Sequence, residues 1–344
     1  MGLLGETLKA GKNREDKEIY FFAPTIKRYQ TKEWENSRYP FFVPVSITGS
    51  FCQLNCEHCR GRILEAMYYT DGPDDLLELG QNLFRKGCRG LLISGGSNSR
   101  GVVPLLKYVS SMKKLKKDLN FKIVVHTGLV DEPLARGLRE AMIDAAMIDI
   151  IGANETIKAI CHLKATIEDY ENSLQWLGKY EVPVSPHVVI GLHYGRIVGE
   201  MKALEIISRH KIASLVLVVL SSLADTPMEN VKGPSLNEVG KIFVRARQMF
   251  PEIPILLGCA RPKGKEKLKI EIQALEAQLD GIAYPSEEIF GYAKGSGLKP
   301  RFSEYCCSLI FDGEAIGNEH PVFDCPTQER LEQERKDSQD KGGV

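Results

Sequence analysis

Eight short apolar runs rich in β-branched residues recur along the chain, and segments with helical periodicity separate them. The runs occupy residues 43–48, 91–94, 123–126, 147–151, 184–190, 215–220, 254–257 and 281–284. Strands that are apolar on both faces cannot lie at a wetted surface. They belong to a buried parallel sheet whose connections are helices. Start signals agree: Pro73-Asp74-Asp75 opens one helix that should end near Gly87, and Thr166 with Asp169 and Ser235 with Glu238 form capping boxes. Eight βα units in about 245 residues match the length of a (β/α)8 TIM-type barrel, about 250 residues. An open doubly wound sheet is the alternative. This α/β barrel is expected over residues 41–298. Residues 1–40 read as an N-terminal extension draped over it, 299–326 as a cysteine-bearing C-terminal segment and 327–344 as a polar tail.

Composition narrows the function. Of 344 residues, 45 are Lys or Arg and 45 are Asp or Glu, so no net field draws the chain to nucleic acid or anionic lipid. No apolar run approaches the ~20 residues of a membrane span, and residues 1–20 lack the apolar core of a signal peptide. A cytoplasmic protein is expected. The basic run 113–117 with Lys122 ends a helix and reads as a solvated face, or as a docking patch for an acidic carrier. Nine cysteines, three of them bunched, point away from a disulfide framework and towards metal or redox chemistry in a reducing compartment.

The bunched three follow the first run directly, as Cys52-Gln53-Leu54-Asn55-Cys56-Glu57-His58-Cys59, a C-x3-C-x2-C loop. Soft thiolates at this spacing suit zinc or an iron–sulfur cluster, and a closed structural zinc site would want a fourth ligand. His58 sits immediately before Cys59, where reaching the same ion is difficult. The loop resembles that of the radical S-adenosylmethionine (SAM) enzymes. The resemblance implies that Cys52, Cys56 and Cys59 hold three irons of a [4Fe-4S] cluster and that SAM binds the fourth. It also implies that the reduced cluster cleaves SAM to methionine and a 5′-deoxyadenosyl radical, which takes hydrogen from substrate. His58 stands where the family usually has an aromatic residue against the adenine. Gly95-Gly96-Ser97, after the second run, resembles the motif whose backbone meets SAM's amino group, with Ser97 replacing a common acid. Asn154 and Glu155 fall where the family presents polar groups to the ribose. Lys164 lies where relatives place a base for SAM's carboxylate, or is a solvated lysine. Gly191-Leu192 resembles the segment bordering the adenine, although His193-Tyr194 replaces the usual small-then-acidic pair.

Residues 225–230 and 257–262 narrow the resemblance to biotin synthase and its relatives, in which an arginine matching Arg261 faces a sulfur-donating cluster. Arg261 is alternatively a strand-end salt bridge. The interior cysteines that hold that cluster in biotin synthase have no counterpart in 121–128 or 184–191. Cys306-Cys307, with Cys325, could ligate a second cluster folded over the barrel mouth, or be ordinary buried residues; Cys88, Cys161 and Cys259 read as small core residues. The motif over 48–67 with this C-terminus resembles biotin-synthase-like proteins that act in pairs as a two-protein lipoyl synthase. That implies sulfur insertion into an octanoyl chain on a carrier protein, a paired radical SAM subunit, and an electron donor such as ferredoxin or flavodoxin. A radical mutase or lyase with one cluster is the alternative, and a redox-sensing scaffold a third. His126 and His187 lie near run ends, where they could meet substrate or ligate a cluster, or be ordinary hydrogen-bonded histidines.

Overall fold

The computed structural model describes residues 17–317; Cys325 and the polar tail lie outside them. Eleven strands form one sheet: β1 (Glu18–Phe22), β2 (Phe42–Ser46), β3 (Tyr68–Tyr69), β4 (Gly90–Ser94), β5 (Lys122–His126), β6 (Ala145–Asp149), β7 (Val184–Ile190), β8 (Leu215–Val219), β9 (Ile255–Leu257), β10 (Gly281–Ala283) and β11 (Lys299–Ser303). All eight expected runs are strands, and every pairing is parallel. Both capping boxes form. The α/β class holds, as a curled parallel sheet with helical crossovers.

The curl does not close strand to strand. Spatial order is β11-β1-β10-β9-β8-β7-β6-β5-β4-β2-β3. The edge of β10 that a closed eight-stranded barrel would give to β2 is taken by β1, whose Tyr20, Phe21 and Phe22 register with Gly281, Ile282 and Ala283. Residues 18–22 are thus a strand of the sheet where the sequence suggested a draped extension. The free edge of β2 is satisfied piecemeal. Val45 and Ser46 pair with β3, and the Thr25 hydroxyl donates to the Phe42 carbonyl (3.0 Å) and accepts from its amide (2.9 Å). A side chain here substitutes for a strand.

Alternation within each strand separates two packing surfaces. Ile123 and Val125 of β5 join the large core with helix residues such as Leu134 and Leu138. Val124 packs instead with Phe42, Ala145, Met147, Leu309 and Ala315. These last contacts locate the C-terminal segment. It does not cross the barrel mouth: it plugs the opposite end. Tyr305 sets its ring edge-on to Phe41 at 5.0 Å. The Ser308 carbonyl accepts from Ser185 and Ser214 (3.4 Å each), and its hydroxyl donates to Met147 Sδ (3.0 Å). Lys122, the first residue of β5, pairs with Asp312 and Glu314 at 2.7 Å. The reason is stagger. Tilted strands shift register progressively around a curled sheet, which brings the end of β11 level with the starts of β2, β5 and β6.

Leu309 is completely buried in this plug. Leu309→Ala should cost about 2–5 kcal/mol, read from the urea midpoint of the anaerobic apoprotein. A loss below about 0.5 kcal/mol, the surface range, would show that the segment does not seat there.

Candidate functional site

Because all strands run one way, the loops after β2, β4, β6, β7 and β9 share one rim. The cysteine loop after β2 is pinned by its neighbours. Thr48 Oγ1 accepts from the Gly96 amide (2.7 Å) and donates to the Phe51 carbonyl (3.0 Å). Gln53 N donates to the Ser97 carbonyl (2.9 Å) and Glu57 N to that of Ile160 (2.9 Å). A Cβ at Gly96 would stand 2.0 Å from the Phe51 carbonyl oxygen and 2.5 Å from Cys52 Cα. Only glycine lets the β4 loop lie against the cysteines, so Gly95-Gly96 borders them as expected.

Ligand atoms of Cys56, His58 and Cys59 all lie within 4.8 Å of one another. His58 therefore does reach the group, despite its place in the sequence. Cys52, half-buried, lies outside that triplet with its Sγ 3.9 Å from the Ser97 carbonyl. The Cys59 thiol is pushed up to about 12 by its hydrogen bond to Cys56 and by burial, and Cys56 is raised too, through Cys161. Thiols so crowded stay protonated unless a cation takes up their charge. His58 Nδ1 is buried with no hydrogen-bond partner. The donor chemistry fits an iron–sulfur cluster.

Other expected residues divide. Asn154 and Glu155 open the helix Asn154–Cys161 at the rim, where Asn154 Oδ1 accepts from Ile167 N (2.8 Å); Lys164 is exposed in the next loop. Gly191 has φ +83°, a conformation glycine favours, and Leu192 is buried. The acid missing after Leu192 returns from further on: Glu200 Oε1 accepts from the Gly191 amide (2.8 Å), and its Oε2 is buried and unpartnered. Burial raises the Glu200 carboxyl.

Arg261 is corrected. It is 5% exposed. Its Nε and Nη2 donate to Glu271 (3.1 and 2.5 Å), Nη1 to the Gly258 carbonyl (2.7 Å) and Nη2 to that of Tyr284 (2.8 Å). With four of its five N–H donors engaged, this side chain takes the salt-bridge role and holds strand ends together. The lysine run also finds partners, since Lys116 Nζ lies 2.7 Å from Asp144.

Inside the barrel, His126 of β5, Asp149 of β6 and His187 of β7 form a cluster on adjacent strands. His126 Nε2 is 3.7 Å from Asp149 Oδ2, and the two imidazoles are 5.8 Å apart. Sequence reasoning missed Asp149, although an acid ending an apolar run was a signal. Burial works against its charge, but His126, with His187 and His58, holds the carboxyl down to about 2. Burial also opposes charge on His126, yet Asp149 raises it; His187, mainly through burial, falls to about 4. Near neutral pH Asp149 is ionised and His187 neutral, while His126 holds its proton to higher pH than an ordinary histidine.

The sequence model of the Radical SAM superfamily matches residues 46–207, from the end of β2 past β7. The chain carries a radical SAM domain. A curated relative, 7,8-didemethyl-8-hydroxy-5-deazariboflavin synthase of Methanosarcina barkeri, is 24% identical over 235 residues, covering 61% of this chain and 69% of that protein. Among solved structures, methylornithine synthase aligns with TM-score 0.54 at 15% identity, covering 76% of this chain and 83% of that one. HydG, a maturase of the [FeFe]-hydrogenase, aligns with TM-score 0.57 at 12% identity, covering 93% and 69%. These structural likenesses establish the fold. The cofactors of this radical SAM enzyme are a [4Fe-4S] cluster and SAM.

The raised His126 ties stability to pH. Its pairing with Asp149 contributes fully below the ordinary histidine value of 6.5 and is lost as pH rises through the raised value. In Asp149→Asn the main influence opposing burial is gone, so the His126 midpoint followed by NMR of the imidazole protons should fall. An unmoved midpoint would show that Asp149 does not set it.

Proposed function

We propose that this radical SAM enzyme inserts sulfur into an unactivated C–H position, with Cys52, Cys56 and Cys59 holding the SAM-binding cluster and Cys306-Cys307 holding a second one. The observation that carries the reading is the plug, which seats Tyr305 and Cys306 against the inner cluster of Phe42, Val124 and Met147. When bound, the cofactors supply a 5′-deoxyadenosyl radical that removes a hydrogen atom and, from the second cluster, a sulfide that bonds to the substrate carbon, one electron passing to cluster iron. Everything else falls to the chain. The plug shuts the lower end of the lumen against water, the apolar inner faces of the strands would accept an alkyl chain, and Gly96 lets the loop after β4 lie against the cysteine loop. His126 and Asp149 would orient the substrate's polar end without acting as bases, because hydrogen-atom transfer needs none.

SAM is a substrate of any radical SAM enzyme; a lipoyl-type carrier protein, a paired subunit and a ferredoxin or flavodoxin are the partners this reading adds. Phe51, Ile63, Tyr68 and Tyr69, exposed around the cysteine loop, would suit such a docking protein. No helix among the described residues is long and apolar enough to cross a membrane, and a cytoplasmic site accords with nine cysteines and the absence of disulfides among the described ones.

The second reading, a mutase or lyase acting on a small molecule with one cluster, is favoured by the polar His126–Asp149–His187 group and by the names of the relatives. Iron separates the two. Sulfur insertion expects about eight irons per chain after anaerobic reconstitution and a single cluster about four. Cys306→Ala with Cys307→Ala should lose about four irons, keep SAM cleavage and abolish sulfur transfer; unchanged iron would leave the second reading standing. Cys56→Ala should abolish 5′-deoxyadenosine formation, and undiminished cleavage would remove Cys56 from the cluster.

A further inference from the structure

The plug gives the lumen a floor, and the strands that touch it carry polar side chains one layer higher. Val124 of β5 packs with Leu309 and Ala315 of the plug. Met147 Sδ accepts from the Ser308 hydroxyl (3.0 Å), and the hydroxyls of Ser185 and Ser214 donate to the Ser308 carbonyl (3.4 Å each). Side chains two residues apart on a strand share a face. The next inward layer on β5 to β8 is therefore His126, Asp149, His187 and Val216. Register agrees, since His126 pairs with Met147, Asp149 with His187, and His187 with Val216.

This layer is not packed shut. β6 is buried from Ala145 to Ile148 and becomes accessible at Asp149, and the accessible residues of β7 are His187 and Val189. The His126 and Asp149 side chains keep 31% and 44% of their surface accessible. Val218, two residues beyond Val216, is partly accessible and pairs with Val189. An apolar layer thus lies between the polar one and the rim.

We propose that Asp149 and His187 bind a primary ammonium group of the substrate, whose apolar chain rises past Val189 and Val218 towards the cysteine loop. The proposal rests on the reading that the substrate enters the barrel, which both functions above share, and it adds the group that the substrate presents there.

The polarity of the layer selects that group. His187 Nδ1 lies 2.9 Å from the Ser185 carbonyl. A carbonyl only accepts, so Nδ1 carries the proton, and burial keeps the ring neutral near neutral pH. Nε2 is left with its lone pair. Asp149 is ionised, and its carboxylate meets His126 Nε2 at 3.7 Å, beyond hydrogen-bond length. Asp149 and its register partner His187 therefore offer a ligand two acceptors side by side. An ammonium group brings three N–H donors and a positive charge, a hydroxyl brings a single donor and no charge, and a carboxylate is repelled by Asp149.

The test uses hexylammonium as the probe, with hexanoate and hexanol as its matched anion and alcohol, on the anaerobically reconstituted full-length protein. Calorimetry should show one saturable site for hexylammonium and weaker binding of the other two. Nitrogen NMR of labelled histidine should place the His187 proton on Nδ1 and show its Nε2 resonance shifting as hexylammonium is added. Asp149→Asn and His187→Phe should each weaken hexylammonium binding about tenfold or more, the loss of one charge-assisted hydrogen bond. Circular dichroism should report a folded chain in both. Asp118→Asn, at an exposed carboxylate on the surface, should leave binding unchanged. A preference for hexanoate, no saturable hexylammonium site, a His187 proton on Nε2, or binding that either variant at the layer leaves intact would overturn the proposal. Iron content is untouched by any of these outcomes, so the choice between one cluster and two is decided separately.

Discussion

Every strand in this sheet runs in the same direction, and two consequences follow from that alone. All βα loops emerge at one rim, where the cysteine loop, Gly95-Gly96, the start of the helix Asn154–Cys161 and Gly191 become neighbours although far apart in sequence. All strand starts gather at the other rim, where inward residues such as Phe42, Val124 and Ala145 would face water. A curled sheet with an apolar lower lumen needs a stopper, and the residues after β11 supply it. The strand tilt that makes the sheet curl also lowers the end of β11 to the level where the stopper is required.

This geometry links closure to chemistry. The residues that seal the lumen, Leu309 and Ser308, adjoin the pair Cys306-Cys307, so the plug cannot seat without carrying Cys306 against the inner cluster. Arg261 contributes from the opposite side by a different route. A buried arginine with four of its five N–H donors engaged is a firm brace. The carbonyls it grips flank the turn that carries Cys259. The histidine–aspartate cluster completes the lumen wall with an ionised Asp149 that favours the protonated form of His126.

Much of this was legible in the sequence, for identifiable reasons. Eight strands could be read because a strand apolar on both faces has few other places to go, and the cysteine loop because three thiols at fixed spacing serve metal chemistry. β1, β3 and β11 were not legible: β3 is two exposed tyrosines, and β1 and β11 are strands only through each other and β10. Whether the sheet closes depends on which segment takes the edge of β10, a contact between distant parts of the chain. Glu200 was not legible because it reaches the Gly191 amide from nine residues further on, a contact made only by the folded loop. Arg261 and Cys259, which is exposed where a core residue was expected, were misjudged for one reason, that sequence places a residue at a strand end without saying which way it points.

The central claim is that two separate groups of cysteines hold iron, one in the loop after β2 and one inside the barrel. Anomalous diffraction at the iron absorption edge, from crystals of the reconstituted protein grown without oxygen, locates iron directly. Two peaks are expected, one against Cys52, Cys56 and Cys59 and the other at Cys306 and Cys307. A single peak at the loop after β2, with the lumen free of iron, would contradict it.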